Sequence, residues 1–290
     1  MPKDYLSEHH KHFDLKHFVK IALEEDEGHG DVTSLATIPA GKTGSMVLLV
    51  KEEGVLAGVE AAKAILKHID PRIQFKGMLK DGLLVKPGDK AFQIEGNVRK
   101  LLLAERLLLN VMQRMSGIAT HTHKLQGLCA GTHTKVIDTR KTTPGFRFFE
   151  KWAVVIGGGA NHRFGLYDMI LIKDNHVDFC GNLEKAIQAS KDYLRKHKLK
   201  IPIEVETRSP DDVKRVLACG GVQRVMFDNF SPAQTRKAVQ LVNGKMETES
   251  SGGINEKNIA AYAQSGVDFI SVGALTHHVK SLDMSLKFSV

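Results

Sequence analysis

Apolar positions recur along this chain with two different rhythms. In the first part the pattern is mixed. DLKHFVKIALEED (14–26) and VEAAKAILKHI (59–69) space their apolar residues three and four apart, which predicts amphipathic helices. GSMVLLVKEEGVLAG reads as a strand running into a turn. RIQFKGM, GLLVKPGDKAFQIEG and NVRKLL read as short strands between turn signals. RKLLLAERLLLNVMQRMSGIATHTHKLQGLCAG (99–131) is apolar on most faces and predicts a long helix, divided or ended at Gly117 and Gly131.

From Lys135 onward short apolar runs alternate with helical stretches. The runs are KVIDTRK, DMILIKDNH, IPIEVETRS, QRVMFDNF, KMETESSGG and DFISVGAL. Between them lie NLEKAIQASKDYLRKH, SPDDVKRVLACG, SPAQTRKAVQLVNG and NEKNIAAYAQSG, several opening on Ser or Asn followed by Pro or an acid, as helix starts do. Alternation of this kind predicts parallel strands joined by helices. The change of rhythm puts a domain boundary in the long helix, between residues 1–117 and 118–275.

Each of these strands ends in polar residues: Asp138, Arg140 and Lys141; Lys173, Asp174 and Asn175; Glu204 and Glu206; Asp228 and Asn229; Glu249, Ser250 and Ser251; Gly273. One such end is a turn, but six in a row describe the mouth of a (β/α) barrel, where several strand ends build one site. An open doubly wound sheet would concentrate its site at one switch point instead. An α/β barrel, with eight strands or fewer, is the expected fold.

Composition narrows the ligand. With 290 residues, 42% hydrophobic and 26% charged, the chain has room for one large or two ordinary globular domains. A net charge of +8 admits nucleic acid, a membrane surface or small anions. Aromatics are only 6% and the positive charge is scattered, so small anions fit best and no nucleic-acid or membrane partner is expected. Cys129, Cys180 and Cys219 form no CxxC pair, which predicts neither zinc nor disulfides and suits a reducing, cytoplasmic setting. MPKDYLSEHHKHFDLK is too polar for a signal peptide, and Glu105 and Arg106 interrupt the most apolar helix.

Several local patterns fall away. ATIPAGKT has Ala36 where a P-loop needs glycine, and IGGGANHRFG has His162 at the sixth position of a dinucleotide fingerprint. GLLVKPGDKAFQIEG resembles a small lipoyl or biotin hammerhead, but Lys90 sits at no convincing tip. His9, His10 and His12 read as a solvated terminus.

Sorted by charge, the strand-end region offers three sets. Arg140, Lys141, Arg147, His162, Arg163 and Lys173 suit carboxylates or phosphates. Glu206, Asp228 and Glu249 suit sugar hydroxyls or hydrated magnesium. Ser251-Gly252-Gly253 and Gly273-Ala274 let backbone amides approach an anion, with a helix starting near Asn255 adding its positive end. Taken one at a time, such charges are commonly solvated. Together they ask for a substrate with a phosphate at one end, a sugar in the middle and a polyanion near its reacting carbon.

DTRKTTPGFRFFEKWAVVIGGGANHRFGLYDMILIKDNH, followed in order by EVET, MFDNF, ESSGGI and SVGALTHH, and preceded by AERLLLNVMQRMSGIAT, resembles the quinolinate phosphoribosyltransferase family over essentially the whole chain. The resemblance implies an N-terminal α/β sandwich domain, rejoined by the C-terminal tail 276–290, and an incomplete α/β barrel. It implies transfer of phosphoribose from phosphoribosyl pyrophosphate to quinolinate with magnesium and loss of carbon dioxide, giving nicotinate mononucleotide for NAD synthesis. By motif, Thr139, Arg140, His162, Arg163 and Lys173 would bind quinolinate, and Lys141 would meet quinolinate or the pyrophosphate. Glu206 and Asp228 would hold ribose hydroxyls or magnesium. Ser251, Gly252, Gly253, Gly273 and Ala274 would cradle the 5′-phosphate. It further implies a homodimer, or a larger assembly of dimers, in which Arg106 reaches the neighbouring barrel. From sequence alone Arg106, Asn110 and Gln113 form a solvated stripe on the long helix. Two rivals are a related pyrophosphorylase-like protein associated with molybdenum transport and a nucleic-acid-binding protein with an inactive barrel.

Overall fold

The computed structural model describes residue 5 and residues 13–289; His9, His10 and His12 lie outside the described residues. The chain forms two compact units. The first is Met1–His123 with Thr142–Gly158 and His278–Val290, and the second is Lys124–Lys141 with Gly159–His277.

In the first unit, strands β1 (Thr43–Val50), β2 (Gly54–Val55), β3 (Gln74–Gly77), β4 (Leu84–Val85) and β5 (Lys90–Asn97) fold locally. β1, β3 and β5 join a strand from the end of the chain, Met284–Ser289, in an antiparallel sheet, with β1 between β5 and that tail strand. Leu48, Phe92 and Ile94 are fully buried in it, and the Phe75 and Phe92 rings stand 4.8 Å apart. The predicted helix Val59–Ile69 buries Val59, Ala61, Ala62, Ile65 and Leu66 at helical spacing. Gly58 at its N-cap offers no side chain, and Asp81 supplies the cap from a distance, accepting from the amides of Val59 (2.8 Å) and Glu60 (3.4 Å).

NVRKLL is not a strand. β5 ends at Asn97 and a single helix runs from Val98 to Leu128. It buries Leu101, Ala104, Leu108, Val111, Met112, Met115 and Ile118, the three-and-four spacing of an amphipathic stripe. Gly117 does not divide it. An added Cβ there would strike the Lys280 carbonyl and stand 3.0 Å from the Ser281 Cα, so the glycine exists for the close passage of the tail. Gln113 leaves the expected solvated stripe for the same reason: its side chain donates to the Met284 carbonyl at 3.0 Å, and its own carbonyl accepts from the Leu282 amide. A short helix, Val32–Thr37, capped by Asp31, carries too few residues to show a periodicity.

The second unit is a sheet of six strands, all parallel: β6 (Lys135–Ile137), β7 (Ile170–Ile172), β8 (Ile203–Thr207), β9 (Arg224–Asp228), β10 (Glu247–Ser251) and β11 (Phe269–Ser271), in spatial order β6-β11-β10-β9-β8-β7. The tail strand of the first unit is then β12 (Met284–Ser289). The ring stays open between β6 and β7, where Ala160 bridges to Ile137. This is the incomplete α/β barrel. Its helices start where the sequence marks them: Asn182, Ser209 and Ser231 each accept an amide from their own first turn, with Pro210 and Pro232 in the first positions of theirs. Leu183, Ala186, Ile187 and Val216 on the helices pack on Ile172, Ile203 and Val205 of the strands.

Because the Gly117 contact is backbone to backbone, nothing can swing away to relieve it. Gly117→Val should destabilise the protein by about 1–3 kcal/mol through overpacking, seen as a lower melting temperature, whereas Gly127→Ala, with open space around it, should leave the melt unchanged or raised.

Candidate active site

Parallel strands deliver their C-terminal ends to one face, and two adjoining cavities lie there. The smaller, about 280 Å³, is lined by Thr139, Arg140, Lys141, His162, Arg163, Leu171, Lys173, Met226, Glu249, Ser251 and Ser271. The larger, about 590 Å³, is lined among others by Glu206, Asp228, Asn229, Ser251, Gly252, Gly253, Gly273, Ala274 and His277. Thr139, Lys141, Lys173, Ser251 and Ser271 border both.

The smaller cavity is basic by construction. After β6, Asp138 is fully buried and accepts from Asn161 Nδ2 (2.7 Å) and the His162 amide (2.9 Å), which ties the NHR segment to the strand end. Arg140 Nε is buried with no hydrogen-bond partner. Arg163 donates to the Met169 carbonyl at 3.2 Å. Its pKa is pulled down, first by burial and then by the Arg140 charge, with Glu204 and Asp168 opposing. Two guanidiniums side by side, one with an unmet donor, form a receptor for a dianion. Lys141 is fixed through its carbonyl, which accepts from Thr276 Oγ1 at 2.8 Å. Lys173 Nζ lies 3.2 Å from Glu206 Oε2.

His162 lines the cavity, as the expectation of carboxylate binding requires, and its ring is also held from the protein side. Nδ1 accepts from the Arg163 amide at 2.7 Å, and Nε2 stands 2.9 Å from Glu204 Oε2 and 3.5 Å from Glu249 Oε2. Glu204 and Glu249 are fully buried. Both carboxyls are pushed upward mainly by burial, and Glu249, which also feels the Glu204 charge, reaches about 8. Arg224 at the start of β9 reaches Glu249 at 3.4 Å and Glu247 at 2.9 Å, and covers the Phe269 ring at 4.0 Å. Arg147 belongs to the first unit, where it donates to Thr142 Oγ1.

In the larger cavity acids face glycines. Asp228 Oδ2 accepts from Asn229 Nδ2 at 2.8 Å. Asn229 has a left-handed backbone (φ 56°), and its amide donates to the Ser251 carbonyl at 2.9 Å. Gly252 and Gly253 are left-handed too, with φ 96° and 63°. A Cβ on Gly252 would run into the Asn229 side chain, and one on Gly273 would meet Lys141 Cδ at 3.0 Å and His277 at 3.2 Å. The helix expected from Asn255 is shorter: 256–258 form a turn, and the helix is Ile259–Ala263. Asn255 and Asn258 instead donate from their side-chain amides to the Gly253 carbonyl, at 3.2 and 3.1 Å. Glu206 and Asp228 offer hard oxygen donors, a set that fits magnesium. Asn229, His277 and Ser271 were not singled out in the sequence as binding residues. The first follows Asp228 and the last ends β11, so strand-end position was the available signal.

Two family models cover most of the chain: quinolinate phosphoribosyl transferase, N-terminal domain, over residues 31–116, and the C-terminal domain of the same family over residues 118–287. The chloroplastic nicotinate-nucleotide pyrophosphorylase [carboxylating] of Arabidopsis thaliana is 46% identical, over 96% of this chain and 84% of that one. The probable nicotinate-nucleotide pyrophosphorylase [carboxylating] of Bacillus subtilis is 39% identical, over 95% and 93%. The crystal structure of NadC from Streptococcus pyogenes superposes with a TM-score of 0.88 at 37% identity, over 95% of this chain and 97% of that one.

A side chain at Gly253 strains a left-handed backbone even where space is open. Gly253→Val should weaken phosphoribosyl pyrophosphate binding about tenfold or more, as one or two lost anion contacts would, while quinolinate titrated in a calorimeter still binds the basic cavity nearly as in the unaltered protein.

Proposed function

The chain belongs to the quinolinate phosphoribosyl transferase family, and from that premise we propose how its two cavities divide one reaction. The enzyme transfers phosphoribose from phosphoribosyl pyrophosphate to quinolinate and releases carbon dioxide, pyrophosphate and nicotinate mononucleotide, a step of NAD biosynthesis. The observation that carries this reading is the pairing of a dianion receptor, Arg140 with Arg163, with a glycine cradle across a shared border. The test is formation of nicotinate mononucleotide from the two substrates.

Arg140, Arg163 and Lys173 hold the quinolinate carboxylates, with Thr139 at the border. His162 supports Arg163 from below. Backbone amides at Ser251, Gly252, Gly253, Gly273 and Ala274 take the 5′-phosphate. Glu206 and Asp228 face the ribose, where their charge stabilises the cationic character that grows at C1′ as pyrophosphate leaves. They would also hold a magnesium ion, which neutralises charge on the departing pyrophosphate when bound. Lys141 does the same from the strand end. The ring nitrogen, held in line by the arginines, attacks C1′, so positioning supplies much of the rate. The electron pair of the breaking C2–carboxylate bond stays on C2, where the adjacent positive ring nitrogen stabilises it until C2 takes a proton. No side chain forms a covalent bond.

The related molybdenum-associated protein is the weaker reading, because the full TRK, NHR and IKDNH set is present. We read the location as cytoplasmic, a setting that suits three free cysteines, while plant relatives are named chloroplastic or mitochondrial. Among the described residues no helix is long and apolar enough to cross a membrane. Arg106 is exposed on the long helix; in our reading a two-fold dimer carries it to the partner's quinolinate.

Arg140→Ala or Arg163→Ala should cost about 1.5–3 kcal/mol or more of quinolinate binding, and nicotinate, with one carboxylate, should turn over poorly. Equal turnover of nicotinate would sink the dianion assignment. Arg106→Ala and Lys141→Ala should each be nearly inactive. Co-expressed, they should restore roughly a quarter of the wild-type sites, since half of the random dimers are mixed and each has one intact site. Mixed dimers no more active than either parent would place Arg106 outside the reaction.

A further inference from the structure

Among the described residues, three that are not glycine carry a left-handed backbone: Lys198 (φ 53°), Asn229 (φ 56°) and Asn243 (φ 48°). Lys198 and Asn243 end the helices Leu183–His197 and Pro232–Val242, where a left-handed cap satisfies the last carbonyls. Asn229 ends no helix. It stands one residue past β9 and lines the larger cavity. A left-handed residue with no cap to make is costly, and it persists only where its surroundings fix it.

The surroundings of Asn229 do so from both sides. Phe230, next in the chain, is buried; its ring stacks on Phe227 with centroids 5.4 Å apart, and its carbonyl accepts from Tyr262 Oη at 2.8 Å. The Asn229 amide donates to the Ser251 carbonyl at 2.9 Å, which carries the β9–β10 pairing one step past the strand end. The side chain turns back on its own neighbour, and Nδ2 donates to Asp228 Oδ2 at 2.8 Å. A carboxylate only accepts, so the nitrogen end of the amide faces it and the oxygen end is left toward Gly252. A Cβ on Gly252 would run into that oxygen. One side chain thus sits between the acid that faces the ribose and the first glycine of the phosphate cradle.

We propose that Asn229 is a positioning residue, which aims the Asp228 carboxylate at C1′ and keeps that acid in register with the cradle. Asn229 is exposed in the open cavity, so water competes for the carboxylate there. A ribose that fills the cavity displaces this water and leaves the amide as the group that holds Oδ2. A carboxylate already aimed stabilises the growing positive charge without first having to rotate, and this is where fixed polar groups contribute most to rate. The strained backbone serves that aim: an extended residue at 229 would carry its side chain away from Asp228.

This inference rests on the reaction proposed above, and one experiment separates the two. Asn229→Gly keeps the left-handed backbone and its amide but loses the side-chain donor. Asn229→Asp keeps the shape but sets a second acid against Asp228. Single turnovers at saturating substrates would be followed by pyrophosphate release in the wild-type protein and in both variants. Calorimetry on the same preparations would give the affinities for quinolinate and for phosphoribosyl pyrophosphate. Wild-type protein that makes no nicotinate mononucleotide would overturn the reaction itself. If Asn229 positions Asp228, both variants turn over about tenfold or more slowly, the size of a lost hydrogen bond to a charged group. Both affinities then stay within about twofold of wild type, because the lost interaction matters in the transition state and the cradle is untouched. A wild-type rate in either variant would sink the proposal. So would a fall in either affinity as large as the fall in rate, which would make Asn229 a part of the loop's shape and no more.

Discussion

Cations cannot crowd one mouth of a sheet unless carboxylates are buried under them. Burial first, and then the neighbouring Arg140 charge, lowers the pKa of Arg163, and Glu204 acts against both from within β8. Glu204 and Glu249 in turn tolerate complete burial because His162 and Arg224 stand against them. Remove the acids and the arginines would splay toward water. Remove the arginines and the acids would both need protons. The receptor and its support are therefore one electrostatic unit, built from five segments that meet only when the strands align in parallel.

Much of this was legible in the sequence because parallel strands convert chain order into position. Once KVIDTRK, DMILIKDNH and IPIEVETRS are read as strands of one barrel, their last residues must share a face. The helix starts at Ser209 and Ser231 were equally plain, since a cap acts within its own turn. What escaped depends on partners far away in the chain. Gly117 reads as a break in a helix, and only the passage of Lys280 explains it. His162 reads as a cation among cations, and its place beside Glu204 and Glu249 depends on acids from β8 and β10. Ser271 is an ordinary serine until β10 and β6 place it between two cavities. NVRKLL misled because apolar pairs separated by charge suit a strand and the first turn of a helix alike.

The two cavities also differ in kind. The basic one is made of long side chains braced by buried ion pairs. The other sets side chains such as Glu206 and Asp228 against a wall of main chain, with Gly252 fitted against Asn229 and Gly273 against Lys141 and His277. That wall of backbone and glycine has few rotamers to freeze, so it is shaped before any ligand arrives. The arginines lose side-chain freedom on binding, apart from what their buried partners have already removed.

The sheet of the first unit carries a consequence for biosynthesis. One edge of β1 is paired with β12 along six residues, Ser45 to Val50. β12 follows β11, so the ribosome must complete the whole barrel before that edge is covered. Until then a strand with a largely apolar sequence presents open amides and carbonyls, the form in which nascent chains capture one another. The last strand thus closes the first unit, and the interval before it arrives is when the growing polypeptide most needs shielding by a chaperone.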